Sequence, residues 1–433
     1  MNNARQESRR AFLKSSIASI GTATVASLAM RNQAHAAGSD VLRVGLIGCG
    51  PRGTGAAVNA LNADANAKLT AVADLFPDML DASLQEITNA KGSQVAVDRD
   101  HRFLGFDSCK QLLATDVDVV LIALPTYFHS ICLEAAIQAG KHVFCEKIHA
   151  VDAMGMKQVL AAGEEARKRG LSIVSGLAWR YDTGVRETMK RVHDGAIGDI
   201  VSIVETCNTG GLRSRLRQPA WSEMEYQIRD WFNFYWLSCD LPGLNLVHNL
   251  DKAAWAMHEE PPVKAWGMGG RESRVGKQFG DAWDHHATIF EYANGTRLHA
   301  YCRQQDGCRT EISDMFYGTK GRCDLLNNRI DGETKWHYEG PACNRFDLEH
   351  VALFSSIRNG QPINNSLYMA RSSMLGIIAT WASYSGNEIT WADAIESKYR
   401  VAPERLALDA TPPTRPDADG NYPRPVPGIS KFL

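Results

Sequence analysis

Residues 44–53 read Val44-Gly45-Leu46-Ile47-Gly48-Cys49-Gly50-Pro51-Arg52-Gly53, and this stretch decides the fold. An apolar run from Val41 to Ile47 ends on a glycine loop and passes into the Ala-rich segment Thr54–Asn62. A run that is apolar on both faces reads as a buried parallel strand, so the stretch is strand, turn and helix. The spacing Gly48-x-Gly50-x-x-Gly53 suits a loop that cradles a pyrophosphate. Gly48 permits the turn, Gly50 lets backbone approach the anion, and Gly53 lets helix and strand pack closely. The helix N-terminus then faces the charge. An ordinary tight turn can show the same spacing, so context matters. Leu69-Thr70-Ala71-Val72-Ala73-Asp74 reads as a second strand that ends on an acid. Asp74 is placed to accept both ribose hydroxyls, and its charge repels a 2′-phosphate. NAD(H) is therefore expected over NADP(H). Arg52 is the opposing feature, since a guanidinium there can hold a phosphate.

Reading outward, helix and strand alternate. Phe76–Ala90 is helical, Val117–Leu124 a buried strand, Phe128–Ala139 a helix stopped by Gly140, and His142–Lys147 a strand. Val151–Gly170 is a long helix and Leu171–Ser175 another strand. This alternation predicts an α/β Rossmann domain, a doubly wound parallel sheet, over residues 41–178. Beyond it Ile200–Thr206, Val263–Met268, Ala287–Tyr292 and Arg297–Arg303 read as strands, with a hairpin signal at Asn294-Gly295. Residues 366–385 read as a helix. An α+β domain with a mainly antiparallel sheet is expected over 179–400, and a Pro-, Asp- and Gly-rich extended tail over 401–433.

The whole chain has 433 residues, 44% hydrophobic and 22% charged, with a net charge of −2. That composition supports packed cores, and no basic cluster offers a nucleic-acid surface. Ser8-Arg9-Arg10-Ala11-Phe12-Leu13-Lys14, an apolar run Ile17–Met30 and Ala34-His35-Ala36 follow the order of a twin-arginine signal peptide over 1–36. Export to the periplasm is expected, with a cofactor loaded before the chain leaves the cytoplasm. No run reaches the length of a membrane span. The ten cysteines show neither C-x-x-C nor zinc-like spacing. Cys302 and Cys308 are the pair an oxidising compartment could join. In Trp283-Asp284-His285-His286 the adjacent histidines of a strand point to opposite faces, so no metal is expected.

Two further segments carry a resemblance. Asp118-Val119-Val120-Leu121-Ile122-Ala123-Leu124-Pro125-Thr126-Tyr127-Phe128-His129 and Gly140-Lys141-His142-Val143-Phe144-Cys145-Glu146-Lys147 join the glycine loop in resembling the Gfo/Idh/MocA oxidoreductases. Later runs such as Val247-His248-Asn249-Leu250-Asp251 and Gly318-Thr319-Lys320-Gly321-Arg322 are similar to the exported members of that family. The resemblance implies hydride transfer between a tightly bound nicotinamide cofactor and a sugar, polyol or cyclic alcohol. It places Pro125, His129, Glu146 and Lys147 beside the cofactor, alongside Gly48, Gly50, Pro51, Arg52, Gly53 and Asp74. It makes Lys147 the group that polarises the reacting oxygen and His248 the general base. It puts Arg180 and Tyr181 at the substrate, where an inter-domain packing pair is the alternative. It also implies a homo-oligomer formed through the second-domain sheet.

The chain departs from the family pattern twice. Ile148 stands where the family has the proline of Glu-Lys-Pro, and Leu244 where it has a carboxylate four residues before the histidine. Asp240 either substitutes for that carboxylate or serves as a helix cap. Asp251 either orients the His248 ring or pairs elsewhere. Arg213, Arg215 and Arg217 read as a solvated loop within reach of a sugar or a neighbouring subunit. Besides a dehydrogenase, two readings stay open: a glycosidase or lyase-like enzyme that regenerates its NAD in each turnover, and a non-catalytic NAD-binding relative.

Overall fold

The computed structural model describes residues 40–211 and 214–433. The expected signal peptide and Arg213 lie outside the described residues. The chain divides after Leu42, and the architecture here is that of the body Arg43–Leu433.

Its first sheet contains β1 (Leu42–Ile47), β2 (Ala67–Asp74), β3 (Arg102–Leu104), β4 (Val119–Ile122), β5 (His142–Cys145) and β6 (Ile173–Ser175). The order is β3-β2-β1-β4-β5-β6 and the pairs are parallel, so the expected Rossmann topology is present. Helices α1 (Pro51–Ala63), α2 (Pro77–Lys91), α3 (Ser108–Leu113), α4 (His129–Gln138) and α5 (Ala153–Arg169) connect the strands. Local chemistry sets their ends. Pro51 and Pro77 open α1 and α2 at positions where a missing N–H costs nothing. Asp152 caps α5 by accepting from the Gly155 N–H, and Gly170 ends it in the left-handed conformation.

The second sheet contains β7 (Ile200–Thr209), β8 (Lys264–Gly270), β9 (His285–Glu291), β10 (Arg297–Gln304), β11 (Glu311–Gly318), β12 (Gly321–Asp324), β13 (Arg329–Gly332), β14 (Trp336–His337) and β15 (Ile389–Thr390). Its order is β14-β13-β12-β11-β7-β10-β9-β8-β15, antiparallel except where β10 runs parallel to β7. Helices α6 (Thr183–His193), α7 (Glu223–Arg229), α8 (Val247–Ala256), α9 (Arg345–Arg358) and α10 (Ser366–Ser385) accompany it. The last is buried along nearly its whole circumference, as a central core helix should be. It packs on α5, α8 and β8 and so joins both sheets. Residues 402–433 form neither helix nor strand, yet Tyr422 and Phe432 are buried in the core. Among the described residues no helix is long and apolar enough to cross a membrane.

Candidate active site

The glycine loop is built as its spacing predicts. Gly48 has φ +97°, and a Cβ there would sit 2.3 Å from the Ala123 carbonyl oxygen. A Cβ on Gly53 would lie 1.9 Å from the Gly48 oxygen. Gly50 is different: nothing lies within 4 Å of where its Cβ would be. The space before α1 is therefore open, and no side chain caps the helix, which leaves its first N–H groups for an anion. Asp74 ends β2 beside the loop. Its Oδ2 accepts the Cys49 N–H at 2.7 Å and its Oδ1 the Phe76 N–H at 2.9 Å. Burial raises its pKa above the usual carboxylate value, against the pull of these backbone donors. A cavity of about 620 Å³ runs along this edge and is lined by the glycine loop, Asp74 and Pro125. The residues fit a dinucleotide: an open anion cradle, a ribose-level carboxylate and an apolar end.

The reactive end lies beyond β5. Lys147 follows that strand, and its Nζ donates to the backbone carbonyl of Leu244. The segment Pro242–Leu246 winds as a π-helix and runs straight into α8, which carries His248 one turn past Leu244. Lys147 and His248 are thereby brought to the same place. Burial lowers the Lys147 pKa, opposed by the charge of Glu146. The His248 ring is half-buried, and its Nδ1 has no hydrogen-bond partner among the described residues. Burial, then the positive charges of Lys147, Lys252, Arg345 and Arg52, hold its pKa well below the ordinary value. His248 is thus neutral near pH 7, with the buried Nδ1 left without a protein partner among the described residues. Its helix is pinned to the sheet by buried polar bonds. Asn249 donates to Asp314 at 2.7 Å, and Lys252 pairs with the same carboxylate at 2.8 Å.

Residues 42–174 match the Gfo/Idh/MocA profile, described as an oxidoreductase family with an NAD-binding Rossmann fold. That stretch, the N-terminal domain, is similar to the NAD-binding domain of the Gfo/Idh/MocA oxidoreductases. An inositol 2-dehydrogenase of Rhizobium meliloti is 28% identical over 257 residues, 59% of this chain and 66% of that protein. A glycosyl hydrolase family 109 protein of Shewanella amazonensis is 35% identical over 153 residues, 32% of each chain. The matches thus span less than two thirds of these relatives' own lengths. A scyllo-inositol dehydrogenase of Lactobacillus casei, solved with NAD(H) and scyllo-inositol, shares the fold with a TM-score of 0.61 at 21% identity, covering 82% of this chain and 100% of that one.

Several residues of the Gfo/Idh/MocA pattern take roles other than those expected. Asp240 is no substitute carboxylate. It is fully buried, with Oδ1 taken by the Leu241 N–H and Oδ2 by the Trp283 N–H, His286 and the Tyr384 hydroxyl. The carboxylate position is filled instead by the Leu244 carbonyl, which supplies an acceptor to Lys147. The Lys147–Ile148 peptide bond is cis. His129 does not line the cavity. Its Nδ1 donates to the Ile148 carbonyl while its Nε2 accepts the Leu124 N–H, so it braces the two loops from behind. Arg180 is a packing residue within the second domain, not a residue left free for substrate. It pairs with Asp251 at 2.8 Å and Glu259 at 2.7 Å and stacks 4.3 Å from the Tyr368 ring centroid. Asp251 is therefore committed to Arg180 and Ser372, not to His248. Tyr181 donates to Asn365 at 3.0 Å and is buried.

Arg52 and Glu146 form a pair the sequence reading did not foresee. Arg52 Nε donates to Glu146 at 2.5 Å and Nη2 to Glu349 of α9 at 3.0 Å. Glu349 is buried, and burial together with Glu146 raises its pKa well above the ordinary value. The signal was hidden because the buried face of α9 carries Glu349 and His350 instead of a clean apolar stripe. Arg215 is an exposed loop residue, as expected, and also lines the cavity, whereas Arg217 pairs with Glu223. The cysteine expectation is corrected too. Cys302 is buried and Cys308 exposed, both as free thiols, and the disulfide joins Cys109 of α3 to Cys132 of α4 on the cavity wall. Asp284 serves as a loop anchor, accepting the N–H groups of Glu272, Ser273 and Arg274. Among the described residues no cluster of His, Cys, Asp or Glu is placed to hold a metal.

Proposed function

We propose that the protein is an NAD(H)-dependent oxidoreductase acting on a secondary hydroxyl of a sugar, polyol or cyclic alcohol. The observation that carries this reading is that Lys147, held by the carbonyl of Leu244, lies near enough to His248 on the following turn for its charge to act on the ring. NAD, when bound, supplies the hydride acceptor. Lys147 donates a hydrogen bond to the substrate oxygen and stabilises its developing charge. The His248 imidazole, held neutral by its surroundings, takes the hydroxyl proton. NAD is favoured over NADP because Asp74 stands at the ribose, while the Arg52 guanidinium is taken by Glu146 and Glu349. The N-terminal twin-arginine pattern supports export to the periplasm, where a retained cofactor is needed.

The inositol dehydrogenase relative supports the substrate class. The glycosyl hydrolase family 109 relative favours one second reading, in which the same oxidation is transient and a glycosidic bond is eliminated before the cofactor is restored. Inositols, aldoses and glycosides offered to the loaded protein, with the absorbance of the bound nucleotide followed, separate the two: one equivalent of bound NADH persists in the first and returns to NAD⁺ with bond cleavage in the second. Lys147→Met is expected to lower kcat/KM about 10²- to 10³-fold. His248→Gln is expected to lower it about 10²- to 10⁴-fold. Wild-type rates in both variants would remove either enzymatic reading.

A further inference from the structure

The first domain alone does not close the cavity assigned to the dinucleotide. Its outer wall near Asp74 comes from the second domain, where Trp231 and Phe232 line the space. The two rings stack with centroids 4.0 Å apart. They follow α7, which Ser222 caps by accepting the Glu225 N–H at 3.1 Å. The far end of α7 is fastened to the first domain. Arg229 donates from Nη1 and Nη2 to the two oxygens of Asp78, each at 3.0 Å. Its Nε stays on Glu225 at 2.8 Å, and its guanidinium lies 3.7 Å from the centroid of the Phe76 ring. Phe76 and Asp78 begin the helix that leaves the ribose carboxylate. The Arg229 side chain is 10% exposed and packed in place, while the Asp78 carboxylate is 58% exposed at the rim.

We propose that Trp221–Phe232 is part of the dinucleotide site. The stacked rings cover the adenosine, and Arg229 latches this cover to the ribose edge. The proposal rests on the reading of the cavity as an NAD(H) site. A planar two-point ion pair fixes one geometry, and stacking on Phe76 adds to it. Release of the nucleotide then requires a local opening that breaks both contacts, so dissociation is slowed by the rarity of that opening. An adenosine end open to solvent has no such step.

Exchange of bound nucleotide for isotopically labelled NAD⁺, followed by mass spectrometry on the full-length protein, tests this. Asp78→Asn and Arg229→Met are each expected to speed exchange at least tenfold at an unchanged melting temperature. The double variant should exchange no faster than either single one, because the two changes remove the same interaction. Trp231→Ala should weaken ADP-ribose binding at least tenfold and leave nicotinamide mononucleotide binding unaltered. Exchange in Asp78→Asn as slow as in the wild type overturns the latch, as does acceleration in Arg229→Met alone. A wild-type protein that carries no nucleotide as purified and takes up no labelled NAD⁺ overturns the cofactor reading itself, which the variants' behaviour cannot do.

Discussion

At His149, burial decides the protonation state. Its Nδ1 meets the Ser373 hydroxyl and its Nε2 the Ser175 hydroxyl, each at 3.1 Å, and burial pushes its pKa down to about 3. The folded pKa lies below the unfolded one, so the unfolded chain binds the extra proton between about pH 6.5 and 3. The stability this residue contributes is full above that window and is lost as the pH falls through it. Between pH 6.5 and 5 the loss is about 2 kcal/mol. His149→Gln should show a shallower acid slope by that amount in denaturant melts, and an identical slope would show that His149 does not titrate on unfolding. Residues whose work is local were legible in the sequence. Gly48, Gly53 and Asp74 act through their own backbone or through neighbours on the next strand. Asp240 was not, because its partners Trp283, His286 and Tyr384 come from distant segments that only the folded sheet and α10 bring together.

At the level of elements, the glycine loop makes opposite forecasts for two similar substitutions. Gly53→Ala drives a methyl into the Gly48 carbonyl and should cost about 3 kcal/mol or more. Gly50→Ala meets no protein atom and should melt within about 0.5 kcal/mol of the wild type, yet lose at least tenfold in NAD affinity because the methyl occupies the pyrophosphate's approach. Thermal melts with NAD titration check both, and an unimpaired Gly50→Ala would mean the pyrophosphate lies elsewhere. Elements with a dominant apolar signal were read correctly: β1, β4, α4 and α10 are each mostly apolar. Those that were missed lack one. β3 has only Arg102, Phe103 and Leu104, and α9 buries a glutamate and a histidine. The staple between α3 and α4 also escaped, since no spacing rule pairs Cys109 with Cys132. By loop length it should stabilise the fold by about 3 kcal/mol, so Cys109→Ser should lower the melting temperature under oxidising conditions and not in reductant.

Across the whole molecule, the outer face of the second sheet is the surface with unfinished business. Trp266 and Met268 stand opposite Ile289 and Ala287, and Tyr301 stands beside Ala287 on the same face. Met268 is 72% exposed and Tyr301 38%. A sheet face that exposes apolar side chains among ion pairs suits a second copy of the chain. We expect a dimer or tetramer by light scattering, and the double variant Met268→Glu with Tyr301→Glu should be monomeric. An unchanged mass in that variant would place the contact on another face.

The hold on Lys147 has a consequence for how such a site can diverge. Its acceptor is a main-chain carbonyl, which belongs to the backbone path and not to the side chain at position 244. No replacement of Leu244 removes that oxygen, and no change in acidity protonates it. The pocket wall is therefore free to drift through generations of altered substrates while the lysine stays armed, and an ancestry traced by the missing carboxylate alone would count as broken a site that had only changed the atom it leans on.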